Sequence, residues 1–212
     1  MKIEKLFYTP FVQIQTDIDG QKFIEQIQHY YNNQIDWQRK WVYEGIHEGE
    51  MGRLYDIMYQ TAHDIMKQCG HDIKMSAKDT WFNYWEPKGH MRFHDHFDTL
   101  LNQVFYPQVD DDTGELVIID PRGGTSWSAL NYTIGNEGNG NTSEFHGNSC
   151  TDIRIKPTPG LLIAFPGYLV HGTMSNLSTI SRSSFAANWD RADIVDALKK
   201  ANLFYADGDR IK

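Results

Sequence analysis

Leu161-Leu162-Ile163-Ala164-Phe165-Pro166-Gly167-Tyr168-Leu169-Val170-His171-Gly172 is the stretch from which the fold of this chain can be read. Its apolar run from Leu161 to Phe165 is too short for a self-supporting helix and suits a strand buried on both faces. Pro166-Gly167 then imposes a turn, because proline fixes φ and glycine tolerates a sharp reversal, and Tyr168 to Gly172 returns as a second strand. That second strand carries a histidine close to its end, so an apolar β-pair delivers one imidazole to a defined place.

The same texture extends on both sides. From Ile73 onward, short β-branched and aromatic runs are separated by Gly, Pro, Asn and Asp. They predict strands at Trp81 to Trp85, Met91 to His96, Leu100 to Tyr106, Glu115 to Ile119, Thr151 to Lys156 and Arg182 to Asn188. Pro107 and the acidic run Asp110 to Asp112 before Gly114 mark a turn. Arg122 to Ser149 is rich in Gly, Asn, Ser and Thr and too long for an ordinary connection. It reads as a mobile loop near a site, with Trp127 and Tyr132 as lid residues and His146 as an exposed spectator.

Helices precede the strands. Asp19 to Tyr31 sets Phe23, Ile24, Ile27, Tyr30 and Tyr31 at helical spacing behind Asp19 as N-cap. Met51 to Gly70 carries an apolar stripe through Leu54, Met58, Ala62 and Ile65, and Gly70 stands just past its end. Asp36 to Gly49 has mixed periodicity and reads as irregular, while Arg191 to Leu203 closes the chain with a helix using Ile194, Val195 and Leu198. Helices first and strands afterwards make the class α+β: an eight-stranded jelly roll (double-stranded β-helix, cupin-like) with supporting N-terminal helices. One domain is expected over 1–212, with helical support over about 1–72, the jelly-roll core over about 73–190 and the last helix over about 191–203.

Composition narrows the function. A net charge of −8 argues against a dedicated nucleic-acid or anionic-membrane surface, since both need clustered Lys and Arg. Two cysteines, Cys69 and Cys150, without a C-x-x-C, give neither a zinc framework nor a disulfide scaffold and fit a reducing, cytoplasmic setting. No apolar run approaches a membrane span, and the first residues lack a signal-peptide pattern.

The chemistry gathers at His94-Asp95-His96-Phe97-Asp98. On a strand, side chains at i and i+2 share a face, so neighbours among His94, His96 and Asp98 can grip one ion together, with His171 supplying the third ligand from a facing strand. A facial set of this kind leaves positions open for other ligands, as in non-haem Fe(II) sites. Two sets compete: His96, Asp98 and His171, in which a carboxylate offsets metal charge, and His94, His96 and His171. Eleven residues past His171, Arg182 opens a strand on which it shares a face with Ser184, so a guanidinium and a hydroxyl can meet one carboxylate.

The order of these pieces resembles the iron(II)- and 2-oxoglutarate-dependent oxygenases, in particular a subgroup from bacteria and phages. Trp81-Phe82-Asn83 is similar to its W-x-N, Gly89 stands five residues before His94, His94-Asp95-His96 matches H-x-H, and Gly114-Glu115-Leu116 leads to Asp120-Pro121-Arg122. Pro157, Gly160, Leu162, Phe165, Pro166, Leu169, His171 and Asn176 follow its P-x-x-G-x-L-x-x-F-P-x-x-L-x-H run and trailing Asn, and Arg182, Ser184 and Asn188 its R-x-S-x-x-x-N. The chain departs from the subgroup at Phe97, where Pro is usual, and at Asn102-Gln103, where Ser-Gly is usual.

The resemblance implies His94, His96 and His171 as iron ligands and catalytic residues, with Asp98 as the alternative carboxylate in place of His94. It implies Arg182 as the anchor of 2-oxoglutarate, with Ser184 and Asn83 as further co-substrate contacts. Asn83, Asn188 and Tyr106 are expected to hold the ligand histidines from behind. The implied activity is hydroxylation of a small-molecule or peptidyl substrate using Fe(II), 2-oxoglutarate and dioxygen, with release of succinate and carbon dioxide. Two alternatives stand beside it: a cupin-like metal dioxygenase without 2-oxoglutarate, and a non-catalytic jelly-roll binding module.

Overall fold

In a computed structural model, the residues described are 9–31, 39–41, 47–121 and 152–201. Among them the chain forms β1 (Val12–Gln15), α1 (Gly20–Tyr30), β2 (Arg39–Trp41), α2 (Gly49–Gln68), β3 (Met75–Trp85), β4 (Leu101–Gln108), β5 (Leu116–Ile119), β6 (Asp152–Ile155), β7 (Leu161–Pro166), β8 (His171–Thr173), β9 (Arg182–Arg191) and α3 (Ala192–Lys200). The larger sheet runs β1-β7-β4-β9-β3-β2 and the smaller one β6-β5-β8, with every pairing antiparallel. One apolar cluster, including Tyr106, Leu116, Ile118, Ile155, Ile163 and Phe165, draws on both sheets and makes them the two faces of the expected jelly roll.

Alternation sorts the larger sheet into a helix face and a cavity face. Leu101, Phe105, Phe185, Ala187 and Trp189 join Phe23, Ile27, Leu54 and Met58 of the helices in the second apolar cluster. Phe23 is its hub, meeting Phe105 and Phe185 edge-on at centroid distances of 5.4 and 5.5 Å. α1 starts where Asp19 accepts from the Gln21 and Lys22 amides, each at 3.1 Å, and α2 stops at Cys69 with Gly70 beyond it at φ 86°.

Three expectations need correction, and a fourth falls on residues that are not described. Two short strands were not anticipated: β1 pairs with β7, and β2, within the stretch read as irregular, pairs with β3. Met91 to His96 is not a regular strand; an isolated bridge from His94 to His171 replaces a ladder. In α3 Val195 is buried but Ile194 is exposed, so the packed face is narrower than its apolar spacing suggested. The long loop expected over Arg122 to Ser149, with Trp127, Tyr132 and His146, lies outside the described residues.

Candidate metal and co-substrate site

The site is a cavity between the sheets, and it begins with a turn that only glycine fits. A Cβ on Gly167 would stand 2.4 Å from the Thr99 carbonyl oxygen and 2.6 Å from that of His96. This close approach lets the His96 amide donate to the Gly167 carbonyl at 2.8 Å, so the turn between β7 and β8 seats the first histidine segment directly. Farther along, His94 and His171 exchange amide-to-carbonyl bonds of 2.9 and 2.8 Å, and the Thr173 amide donates to the Met91 carbonyl at 3.0 Å. The segment from Met91 to His96 is thus laced to the edge of β8 without becoming a regular strand.

That lacing brings three imidazoles together. His94, His96 and His171 each offer a ligand nitrogen, and these atoms lie within 4.8 Å of one another. Ring centroids are 5.0 Å apart for His94 and His96, 4.5 Å for His94 and His171, and 5.2 Å for His96 and His171. His94 Nδ1 meets the Arg92 carbonyl at 2.8 Å and His171 Nδ1 meets the Leu169 carbonyl at 2.9 Å, the same two-residue backward bond in both cases. A carbonyl only accepts, so each Nδ1 carries the proton and each Nε2 keeps its lone pair for a cation. The expected supports Asn83, Asn188 and Tyr106 do not fill this role for His94 and His171; backbone carbonyls do.

Packing fixes the rings further. Trp81 stacks on His96 at 5.7 Å and 9°, and Phe165 meets His171 edge-on at 4.8 Å. Burial pushes the His171 pKa down to about 4, with its bond to Leu169 opposing and the neighbouring His94 adding to the depression. His171 is therefore neutral at pH 7, the form that binds a metal.

Asp98, the alternative ligand, stands elsewhere. Its Oδ2 is 2.6 Å from Lys78 Nζ, and among the described residues the acidic groups contribute nothing to the imidazole cluster.

Arg182, Ser184 and Asn83 line the same cavity as the three histidines. Arg182 is only 1% exposed, yet among the described residues no carboxylate pairs with it. Its Nη1 donates to the carbonyls of Thr113 at 2.6 Å, Met174 at 3.3 Å and Gly114 at 3.4 Å, and its Nη2 donates to Thr173 Oγ1 at 2.8 Å. Burial lowers the Arg182 pKa, with Tyr106 opposing, but an arginine remains charged. A buried guanidinium without a carboxylate partner among the described residues, beside three clustered ligand nitrogens, calls for an anion next to a cation. That donor set fits a ferrous ion together with a carboxylate-bearing co-substrate.

Asn83 donates to Ser184 Oγ at 3.2 Å, and Asn102 donates to Asn188 Oδ1 at 3.2 Å, so these amides tie β3, β4 and β9 together along the cavity wall. Tyr106 also lines it, and burial holds its hydroxyl protonated up to about 12. Asn176, the trailing Asn of the sequence run, is fully buried and organises the approach to β9 by donating to the Ile180 and Trp85 carbonyls at 2.8 and 3.2 Å. Sequence reasoning missed Thr173 and Lys78. Period-two spacing from His171 signalled Thr173; no local pattern signalled Lys78.

Residues 79–188, more than half of the chain, match the model of a family described as "Putative 2OG-Fe(II) oxygenase". The chain belongs to this family. No curated protein matches this oxygenase. Among solved structures it resembles a Pseudomonas putida prolyl-4-hydroxylase with a TM-score of 0.58 at 14% identity, over 85% of this chain and 87% of that one. It also resembles the viral collagen prolyl hydroxylase vCPH from Paramecium Bursaria Chlorella virus-1 as its 2OG complex, at 0.54 and 16% over 84% and 94%. HygX from Streptomyces hygroscopicus, solved with nickel and 2-oxoglutarate, aligns at 0.54 and 11% over 87% and 83%. At these identities the likeness is one of fold. The protein is accordingly an oxidoreductase of the class that uses Fe(II), 2-oxoglutarate and dioxygen. No described helix is long and apolar enough to cross a membrane.

Proposed function

We propose that this oxygenase hydroxylates a C–H bond of a small-molecule or peptidyl substrate, with His94, His96 and His171 holding Fe(II) and Arg182 anchoring 2-oxoglutarate. The observation that carries the reading is the sharing of one cavity by three clustered ligand nitrogens and a buried guanidinium that lacks an anionic partner among the described residues. When bound, the iron supplies the redox chemistry: dioxygen, 2-oxoglutarate and substrate become succinate, carbon dioxide and hydroxylated substrate.

The chain's own contribution is positional. His94 and His171 present Nε2 because their Nδ1 protons are committed to carbonyls. Trp81 and Phe165 hold two of the rings and keep water from them. Arg182 binds the distal carboxylate in a buried setting, where a charge-assisted hydrogen bond is strongest. Ser184 and Asn83 shape the wall beside it. The family match favours this reading over a 2-oxoglutarate-independent dioxygenase and over a non-catalytic module.

Anaerobic titration with Fe(II) and then 2-oxoglutarate tests the proposal. The expected result is a weak visible charge-transfer band that requires both additions and is absent in His171→Ala. Wild-type protein giving no band would remove the reading.

A further inference from the structure

Register across the larger sheet sets its cavity face in rows. Asp79 of β3, Asn188 of β9, Asn102 of β4 and Phe165 of β7 stand opposite one another in one row, and Trp81 and Ala186 stand in the next. The imidazoles lie over these two rows, since Phe165 meets His171 edge-on and Trp81 stacks on His96. Arg182 stands opposite Trp85 at the other end, about 20 Å from Asn188 along β9 at the ordinary strand rise.

The polar members of the first row are chained in one direction. Asn188 donates from Nδ2 to Asp79 Oδ2 at 3.5 Å, and Asn102 donates from Nδ2 to Asn188 Oδ1 at 3.2 Å. A carboxylate only accepts, so Asp79 sets which way both amides turn. Asn102 is 1% exposed and lines the cavity of the histidines, yet among the described residues its Oδ1 has no hydrogen-bond partner. A buried acceptor without a donor costs stability that nothing in the chain returns, and this points to a ligand. His96 Nε2, a lone pair available to the cation, is in the same condition.

2-Oxoglutarate cannot supply the missing donor. Its dianion has oxygen atoms but no N–H or O–H, and its anchor stands at the Arg182 end. Asn102 is also one of the positions at which this chain departs from the subgroup it resembles, where Ser is usual.

Resting on the oxygenase reading above, we propose that Asn102 is a specificity-determining residue for the substrate, with Asn188 and Asp79 as its positioning residues. Its carbonyl accepts a hydrogen bond from an N–H or O–H that the substrate carries beside the carbon to be hydroxylated. Substrates of this oxygenase are therefore hydrogen-bond donors at that place, such as amides, rather than hydrocarbon chains or esters.

The test uses two small probes on protein loaded with Co(II) and 2-oxoglutarate. N-Methylacetamide has one N–H, and N,N-dimethylacetamide has a methyl group in place of that proton. Paramagnetic relaxation of the probes' methyl protons by Co(II) reads how tightly each is held at the metal. Wild-type protein should bind N-methylacetamide about 3- to 10-fold more tightly, the scale of one neutral hydrogen bond. Asn102→Leu should abolish that preference while calorimetry finds the 2-oxoglutarate affinity unchanged. Asp79→Asn no longer dictates which way the amides turn, so it should narrow the preference too, and it carries the comparison if Asn102→Leu does not fold. Equal binding of the two probes to wild type, no relaxation of either, or a full preference in the variants would overturn the proposal. So would a Co(II) absorption spectrum that changes in Asn102→Leu before any probe is added, since the carbonyl would then serve the coordination shell of the ion. Wild-type protein that binds no 2-oxoglutarate would instead bring down the co-substrate reading itself.

Discussion

Asp98 binds Lys78 rather than the imidazoles: Oδ2 lies 2.6 Å from Nζ, and Nζ also donates to the Asp98 carbonyl at 3.1 Å. Lys78 occupies a bulge in β3, between the pairs Ala77–Trp189 and Asp79–Asn188, and its side chain is almost covered. A bulge re-aims the extra residue, and here it sends a cation to the loop that follows His96. Asp98→Asn should leave the iron stoichiometry unchanged and lower stability by at most ~1 kcal/mol, since the carboxylate is half exposed. Lys78→Met should weaken Co(II) binding about 10-fold, as loss of an orienting contact does, read by quenching of Trp81 fluorescence. Loss of metal in Asp98→Asn would return the carboxylate to the ligand set.

Arg182→Met should separate the two parts of the site. Metal affinity stays near wild type because the histidines are untouched, whereas 2-oxoglutarate affinity falls by about 100-fold or more, the equivalent of two charge-assisted hydrogen bonds. Calorimetry with each ligand in turn checks this. Equal loss of both would mean that Arg182 supports the fold rather than the co-substrate.

His171 predicts an acid sensitivity of the metal-free protein. Its folded pKa of about 4 lies below the ordinary value of 6.5, so the unfolded chain binds the proton more readily. Stability is therefore unaffected above pH 6.5 and declines as pH falls from there towards 4, by up to about 3 kcal/mol. Urea midpoints measured at several pH values should show this slope in wild type and a flatter one in His171→Gln. Identical slopes would refute the assignment.

Gly167→Ala should damage metal binding without touching a ligand. The added methyl meets the carbonyl oxygens of Thr99 and His96 at 2.4 and 2.6 Å, so the backbone carrying His96 must shift. Overpacking of this kind costs typically 1–3 kcal/mol. A lowered thermal midpoint together with weaker Co(II) binding is expected; a stable variant with native affinity would show that the contact is not needed.

Much of this was legible in the chain. The apolar run at Leu161, the Pro166-Gly167 turn and the imidazole at His171 belong to one local pattern, and β7, the turn and β8 follow it in order. The helices were legible because their apolar residues recur at a fixed period and meet the sheet through Phe23 and Met58. β1 and β2 were not, because four and three residues carry too little pattern and owe their extended form to the partners β7 and β3. Met91 to His96 has strand-like residues, yet its amides are satisfied piecemeal by Thr173, His171 and Gly167, so no ladder forms. The contact of Asp98 with Lys78 was not legible, because ligand spacing in sequence says nothing of a lysine twenty residues away.

The bulge at Lys78 has a wider effect on β3. Met75 and Ala77 pack towards the helices, whereas Trp81, Asn83 and Trp85, of the same odd parity, line the cavity. One supernumerary residue inverts the strand halfway along its length. Excising Lys78 would drive an indole and an amide into oil and thrust Phe82 among the imidazoles, so the chemistry of this wall hangs on a single step of backbone phase.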